Sequence, residues 1–316
     1  MKESIHVLGP TYIDHTIRLQ DNISFDGSSR IENEDICPGG TGLCYAVALS
    51  RLGNGVTLHS IVGTDERAHL IQEALKNEEN ISTHWQIYDG STDYAYILID
   101  KGNHKTVASR KEVSNHFDPS PATDNLTNAK AVILTSFHND ISLKVLHNIE
   151  NRNQVKPYIM WAPHLPNCDG VSNMTPKLRL IDHITLSSEE FARIYDKVGN
   201  PIDHGVKSIT ITSGKNGCDL LTKDGYRHFN PIHVVENPVD TNGAGEAFGS
   251  GFITTYLETH DYDSAVNSGS YMGFLHIHRK GSDFPKMTKN ELISLSQSAK
   301  LKIQIPVRTS LAESRL

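Results

Sequence analysis

The sequence predicts an α/β fold, a central and mostly parallel sheet flanked by helices, with a small β-lid. Three observations predict it. Short apolar runs alternate with helix-compatible stretches along most of the chain, the pattern of a largely parallel sheet covered by helices. Two regions, one polar and turn-rich and one alternating, break that rhythm and read as a separate small sheet. Near the C-terminus a turn of small residues, Gly243-Ala244-Gly245, stands where a β-like run gives way to a helix-compatible stretch.

The elements follow in order. Ile5–Leu8 reads as a first strand, and Ile17–Asp35 as polar chain with short β-like pieces. Leu43–Leu52 spaces small and apolar residues to bury one helical face, and Gly53 is placed to end that helix. Val56–Ile61 is the next strand and Glu66–Lys76 the next helix. Tyr94–Asp100 alternates, turns at Lys101-Gly102-Asn103-His104 and returns as Lys105–Ala108, a hairpin pattern. Ile17–Asp35 and Tyr94–Ala108 together make the expected lid, a cover that excludes water; a surface decoration or dimer contact is the alternative. Ala131–Thr135, Tyr158–Trp161, His183–Leu186 and Ser208–Thr212 are further strands, with helices at Leu143–Ile149 and Glu189–Lys197. A β-like run, Ile232–Val235, precedes the small-residue turn, and the helix-compatible Ala247–Leu257 follows it. Lys300 onward carries no strong signal. The 316 residues suffice to bury a substantial core, and the continuous rhythm is read as one domain over 1–316.

Composition narrows the function classes. Lys plus Arg number 30 against 37 Asp plus Glu, a net charge of −7 with no dense basic stripe, so nucleic acid is not the expected partner. A hydrophobic content of 37% leaves no membrane span. The first apolar run ends at Gly9-Pro10, too short for a signal-peptide core, and a cytoplasmic location is expected. Cys37, Cys44, Cys168 and Cys218 form no C-x-x-C pair and read as free thiols. The 17 histidines are scattered; His276 and His278, two apart, fall on different faces of a helix, and all are read as structural or surface residues.

The small-residue turn carries chemistry. The first amides of a helix lack intrahelical acceptors, and the helix dipole adds partial positive charge there. Without side chains in the way, an anion such as phosphate can approach those N–H groups. Glu246 stands at the edge of the turn, placed to take a proton from an attacking hydroxyl. Two other glycine-rich readings fail. Gly214-Lys215 is followed by Asn216, and Ile209 stands where a Walker-A loop needs its first glycine. Gly243-Ala244-Gly245-Glu246-Ala247-Phe248 lacks the third glycine of a dinucleotide fingerprint.

Several segments in this order resemble the ribokinase-like carbohydrate kinases of the phosphofructokinase B type, over nearly the whole chain. They are Gly9-Pro10-Thr11-Tyr12-Ile13-Asp14, Gly39-Gly40-Thr41-Gly42, Leu52-Gly53 and Ser60-Ile61-Val62-Gly63-Thr64-Asp65. The nucleotide-side turn Thr212-Ser213-Gly214-Lys215-Asn216-Gly217, the signature Asp240-Thr241-Asn242-Gly243-Ala244-Gly245 and the late step Arg279-Lys280-Gly281 complete the series. The resemblance implies an ATP-dependent kinase, with Mg²⁺, acting on a hydroxymethyl group of a sugar, nucleoside or related small molecule. Gly243, Ala244 and Gly245 would stabilise charge on the transferring phosphate, and Glu246 would be the base. Asp14 and the Gly39-Gly40 turn would hold sugar hydroxyls; alone, that turn would read as a tight turn before a helix. Thr212, Gly214 and Gly217 would border the nucleotide. Asp240 and the Asn242 carbonyl match the place where some members bind a monovalent cation such as K⁺. A projecting lid often serves such proteins as a homodimer contact.

Three positions depart from the family pattern. Its base is usually aspartate, and Glu246 carries the carboxylate one C–C bond, about 1.5 Å, further out. A displacement of about 1 Å can cost on the order of 10²-fold in rate. The asparagine–x–x–glutamate motif that organises Mg²⁺ and phosphates reads Ser187-Ser188-Glu189-Glu190, keeping Glu190 but not the asparagine. Cys44 replaces the asparagine that many sugar kinases carry after the double glycine, with loss of a hydroxyl contact. The alternative function is therefore a weak or inactive member that binds a sugar or nucleotide as a regulator. A dinucleotide-dependent oxidoreductase ranks behind both.

Overall fold

A computed structural model of the chain describes residues 4–24, 26–102, 104–124, 126, 129–151, 156–298 and 303–304. Its first half runs β1 (Ser4–Leu8), β2 (Tyr12–Leu19), β3 (Ile31–Gly39), α1 (Thr41–Arg51), β4 (Val56–Val62), α2 (Glu66–Lys76) and β5 (Ile81–Ile87). Next come β6 (Tyr94–Ile99), β7 (Lys105–Arg110), α3 (Ser120–Asp124), β8 (Ala129–Leu134), α4 (Asn139–Glu150), β9 (Tyr158–Trp161) and α5 (Leu165–Asp169). The remainder is β10 (His183–Ser187), α6 (Ser188–Val198), β11 (Ser208–Thr212), β12 (Cys218–Thr222), β13 (Gly225–Phe229), α7 (Ala244–Thr259), α8 (Tyr262–His276), α9 (Lys289–Ser298) and β14 (Ile303–Gln304).

The main sheet has the order β14-β13-β12-β11-β10-β9-β8-β1-β4-β5. From β5 to β11 every pairing is parallel, and β12, β13 and β14 add antiparallel strands at one edge. Strands buried on both faces read as largely apolar runs, which is why β1, β8 and β9 were legible. One core cluster joins the sheet to α1, α7 and α8, and a second joins its other face to α4 and α6. Parallel strands end on the same side, so the ends of β1, β10 and β11 open onto one crevice.

Local chemistry sets the helix starts. Asp65 caps α2 by accepting from the Ala68 amide at 3.3 Å, and the same carboxylate takes the Thr92 hydroxyl at 2.6 Å. Ser187 opens α6 with a capping box: the Glu190 amide donates to its hydroxyl at 3.3 Å, and the Ser187 amide donates to Glu190 at 2.8 Å.

The second sheet has the order β3-β2-β6-β7, with β2 and β6 parallel and the other two pairings antiparallel. It begins at Tyr12 and extends to Arg110, so its strands start before Ile17 and run past Asp35 and Ala108. Phe25 and Asn103, inside the two sequence ranges, lie outside the described residues, as does most of the chain from Lys300 onward. The β-like run Ile232–Val235 is not a strand. The edge beyond Phe229 is taken by β14, which pairs Phe229 with Ile303, and the chain leaves the sheet instead. Among the described residues no helix is long and apolar enough to cross a membrane.

Candidate active site

The helix expected over Ala247–Leu257 starts earlier, at Ala244, because Gly243 adopts φ 82° and serves as its N-cap. A left-handed φ of that kind favours glycine. Among the described residues no side chain caps this helix. The Ala244 amide reaches Thr241 O at 3.3 Å, while the Gly245 and Glu246 amides lie in the first turn, where the helix offers no acceptor. A Cβ built on Gly245 would meet nothing within 4 Å, so this side of the turn is open. Glu246, the third helical residue, sits where the dipole favours a carboxylate.

Asp14 lies on β2 and pairs with Cys37 on β3, two residues before Gly39. A Cβ on Gly39 would collide with the Asp14 carboxylate, and one on Gly40, at φ 94°, would sit 2.6 Å from Pro10 O. The two glycines are thus fixed by close approach as well as by the turn into α1. Burial pushes the Asp14 carboxyl up to about 6; the Lys105 ammonium opposes that rise, and Glu246 and Asp240 add to it. Burial also raises the Cys44 thiol well above its usual range, with Glu246, Asp14 and Cys37 contributing. Burial and then Asp14 push Cys37 up to about 12. Asp14, Cys37, Cys44, Asp240 and Glu246 therefore share one electrostatic neighbourhood, in which both cysteines stay protonated. A cavity of about 110 Å³ lies beside it, lined by Asp14, Thr16, Asp35 and Cys37 on the small sheet and by Asp240, Asn242 and Gly281 opposite.

The two walls touch. Lys105, at the start of β7, donates to the Asn242 side-chain oxygen. The Asn242 amide donates to Asp240 Oδ1 at 2.9 Å, and the Gly281 amide to Asp240 Oδ2 at 3.1 Å. The Asn242 carbonyl accepts from His276 Nε2 at 2.6 Å.

On the other side of the crevice, Ser187 and Thr212 pair in register as the last residues of β10 and β11. Glu190 Oε2 is held by the Ser187 amide and hydroxyl, the latter at 2.9 Å, and Glu190 Oε1 lies 3.8 Å from His164 Nδ1. Gly214 opens the turn after β11, and Gly217, at φ 88°, ends it where a Cβ would collide with Phe229 O. The buried Tyr45 phenol links the halves: burial raises it, and both Glu246 and Glu190 push it further.

The structure thus brings Asp14, Gly39, Gly40, Cys44, Asp240, Asn242 and Gly243–Glu246 to one cleft, with Ser187, Glu190, Thr212, Gly214 and Gly217 along the strand ends beside it. The sequence assigned no role to Lys105 or Tyr45, and His276 was read only as a structural or surface histidine. Lys105 pairs with Ile99, which faces the cleft vicinity, so the alternation of the hairpin was a usable signal. His276 carried none, because its partner lies 34 residues away.

Comparison with known proteins gives the family. The family described as pfkB family carbohydrate kinase matches residues 2–289. The ribokinase of Haemophilus influenzae is 23% identical over 310 residues, covering 95% of this chain and 100% of that protein. The ATP-dependent ribose-1-phosphate kinase of Halopiger xanaduensis is 26% identical over 276 residues, covering 85% and 90%. The crystal structure of the Methanocaldococcus jannaschii nucleoside kinase superposes with a TM-score of 0.79 at 20% identity, covering 94% of this chain and 99% of that one. The chain belongs to the pfkB family of carbohydrate kinases.

Proposed function

We propose that the protein transfers the γ-phosphate of ATP to a hydroxymethyl group of a sugar, nucleoside or related small molecule. One observation carries this reading: the uncapped first turn of α7 places a carboxylate, Glu246, directly beside open backbone amides and in the neighbourhood of Asp14. Asp14 would orient acceptor hydroxyls, Glu246 would receive the proton of the attacking one, and the Gly243–Gly245 amides would stabilise charge on the phosphoryl oxygens. Thr212, Gly214 and Gly217 would border the nucleotide. Glu190, already oriented by Ser187, is the carboxylate that would hold Mg²⁺, which neutralises phosphate charge and needs only one or two protein carboxylates. The second sheet would act as a lid, with Lys105 reporting its closure on Asn242.

A cytoplasmic location fits four free cysteines. A homodimer through the lid fits its outer face, where Ile36 and Tyr96, 53% and 39% exposed, flank His15 in register. The second reading, a sugar- or nucleotide-binding regulator, is favoured by glutamate in place of the usual aspartate.

The cradle is tested with Gly245→Val. Valine at an open first-turn position keeps the helix and puts a branched side chain in the path of the phosphate. Calorimetry should show ATP affinity falling at least about tenfold in a variant with unchanged circular dichroism, the scale of a lost charge-assisted hydrogen bond. Equal affinity in two equally folded proteins would remove the amides from phosphate binding.

A further inference from the structure

The α7 turn is held from behind by contacts that leave little for a cation. Asp240 and the Asn242 carbonyl are the groups that the family resemblance assigns to a monovalent ion. A cation such as K⁺ is held by oxygens whose lone pairs face it. Here each Asp240 oxygen faces a backbone N–H, from Asn242 at 2.9 Å and Gly281 at 3.1 Å. The Asn242 carbonyl faces the His276 ring at 2.6 Å. A carbonyl only accepts, so Nε2 carries the proton, and a donor N–H pointed at that oxygen opposes a cation beside it.

His276 is built into place. It is 0% exposed, ends α8, and stacks on Phe284 with ring centroids 4.4 Å apart. A Cβ on Gly243 would lie 2.8 Å from His276 Nε2 and 3.2 Å from Phe284 Cζ, so the glycine of the turn and the imidazole are fitted to one another. Among the described residues His276 Nδ1 has no hydrogen-bond partner, leaving the contact to Asn242 as the polar interaction that the ring makes.

We propose that His276 is a positioning residue that takes the place of the cation, fixing the Asn242–Gly245 turn and making nucleotide binding independent of K⁺. The inference rests on the reading of that turn as the phosphate cradle. Its test compares wild type, His276→Ala and His276→Gln in potassium chloride and in choline chloride, by thermal unfolding without nucleotide and by calorimetry with ATP. Wild type should give the same melting temperature and the same ATP affinity in both salts. His276→Ala should bind ATP roughly three- to tenfold more weakly in choline, the worth of one hydrogen bond, and should recover part of that loss in potassium as the Asn242 carbonyl is freed. His276→Gln, which keeps an N–H donor, should lie closer to wild type. A potassium-specific rise in the wild-type melting temperature or ATP affinity would overturn the proposal, as would a folded His276→Ala with wild-type affinity in choline. Failure of wild type itself to bind ATP would remove the kinase reading; the melting comparison without nucleotide would still decide whether this turn takes the ion.

Discussion

Glu246→Gln should lower turnover by about 10²–10⁴-fold, the usual worth of a general base, while ATP affinity changes little. The amide keeps the size of the side chain and cannot take a proton. The phosphate would be held by the backbone of the α7 turn, which the substitution leaves alone. Single-turnover transfer of the γ-phosphate, measured beside nucleotide binding by calorimetry, separates the two effects. Glu246→Asp withdraws the carboxylate by about 1.5 Å. In a site that works with glutamate, the shorter acid would stop short of the attacking hydroxyl. The aspartate variant should therefore lose activity, on the order of 10²-fold. Turnover acquired only on conversion to aspartate would identify the natural protein as a silenced kinase, and unchanged turnover in folded Glu246→Gln would remove Glu246 from the mechanism.

Asp14→Asn should reduce kcat/KM for the acceptor roughly 10–100-fold, as expected when a hydrogen bond to a charged group is lost. The same substitution should stabilise the fold at neutral pH. The Asp14 carboxyl is raised to about 6, so keeping it ionised inside the protein opposes folding. The sign follows from linkage: the penalty is absent below the ordinary carboxylate range, grows as pH rises from about 4 to about 6, and is complete above that. A shift of about two units corresponds to about 2–3 kcal/mol. Chemical denaturation at pH 8 should show that gain for Asp14→Asn, and it should vanish near pH 4. Activity has the opposite requirement, so the acidic limb of kcat/KM should fall near pH 6. Lys105→Met should move that limb upward, because the ammonium that holds Asp14 down is gone. A limb unmoved in Lys105→Met would separate Lys105 from Asp14.

Much of the fold was legible in the sequence. Apolar runs such as Ile5–Leu8 and Tyr158–Trp161 became central strands because burial on both faces demands that composition. The glycines at 39, 40 and 243 marked places where the chain approaches itself closely, since each would clash with a neighbour if given a Cβ, while Gly245 faces open space. Ile232–Val235 misled, since β-branched residues describe a half-buried surface and do not supply a ladder partner. The contacts of Lys105 and His276 with Asn242 were illegible for a different reason. Each depends on two distant segments meeting, 137 and 34 residues apart, and no local period encodes that.

The most direct measurement is ³¹P NMR of ATP incubated with wild type and a panel of pentoses, deoxypentoses and nucleosides. A new phosphomonoester resonance, coupled to two methylene protons, should appear for at least one acceptor, growing in step with ADP and at least about 10²-fold more slowly with Glu246→Gln. ATP consumed only at the acceptor-free rate across the whole panel would contradict the proposed function.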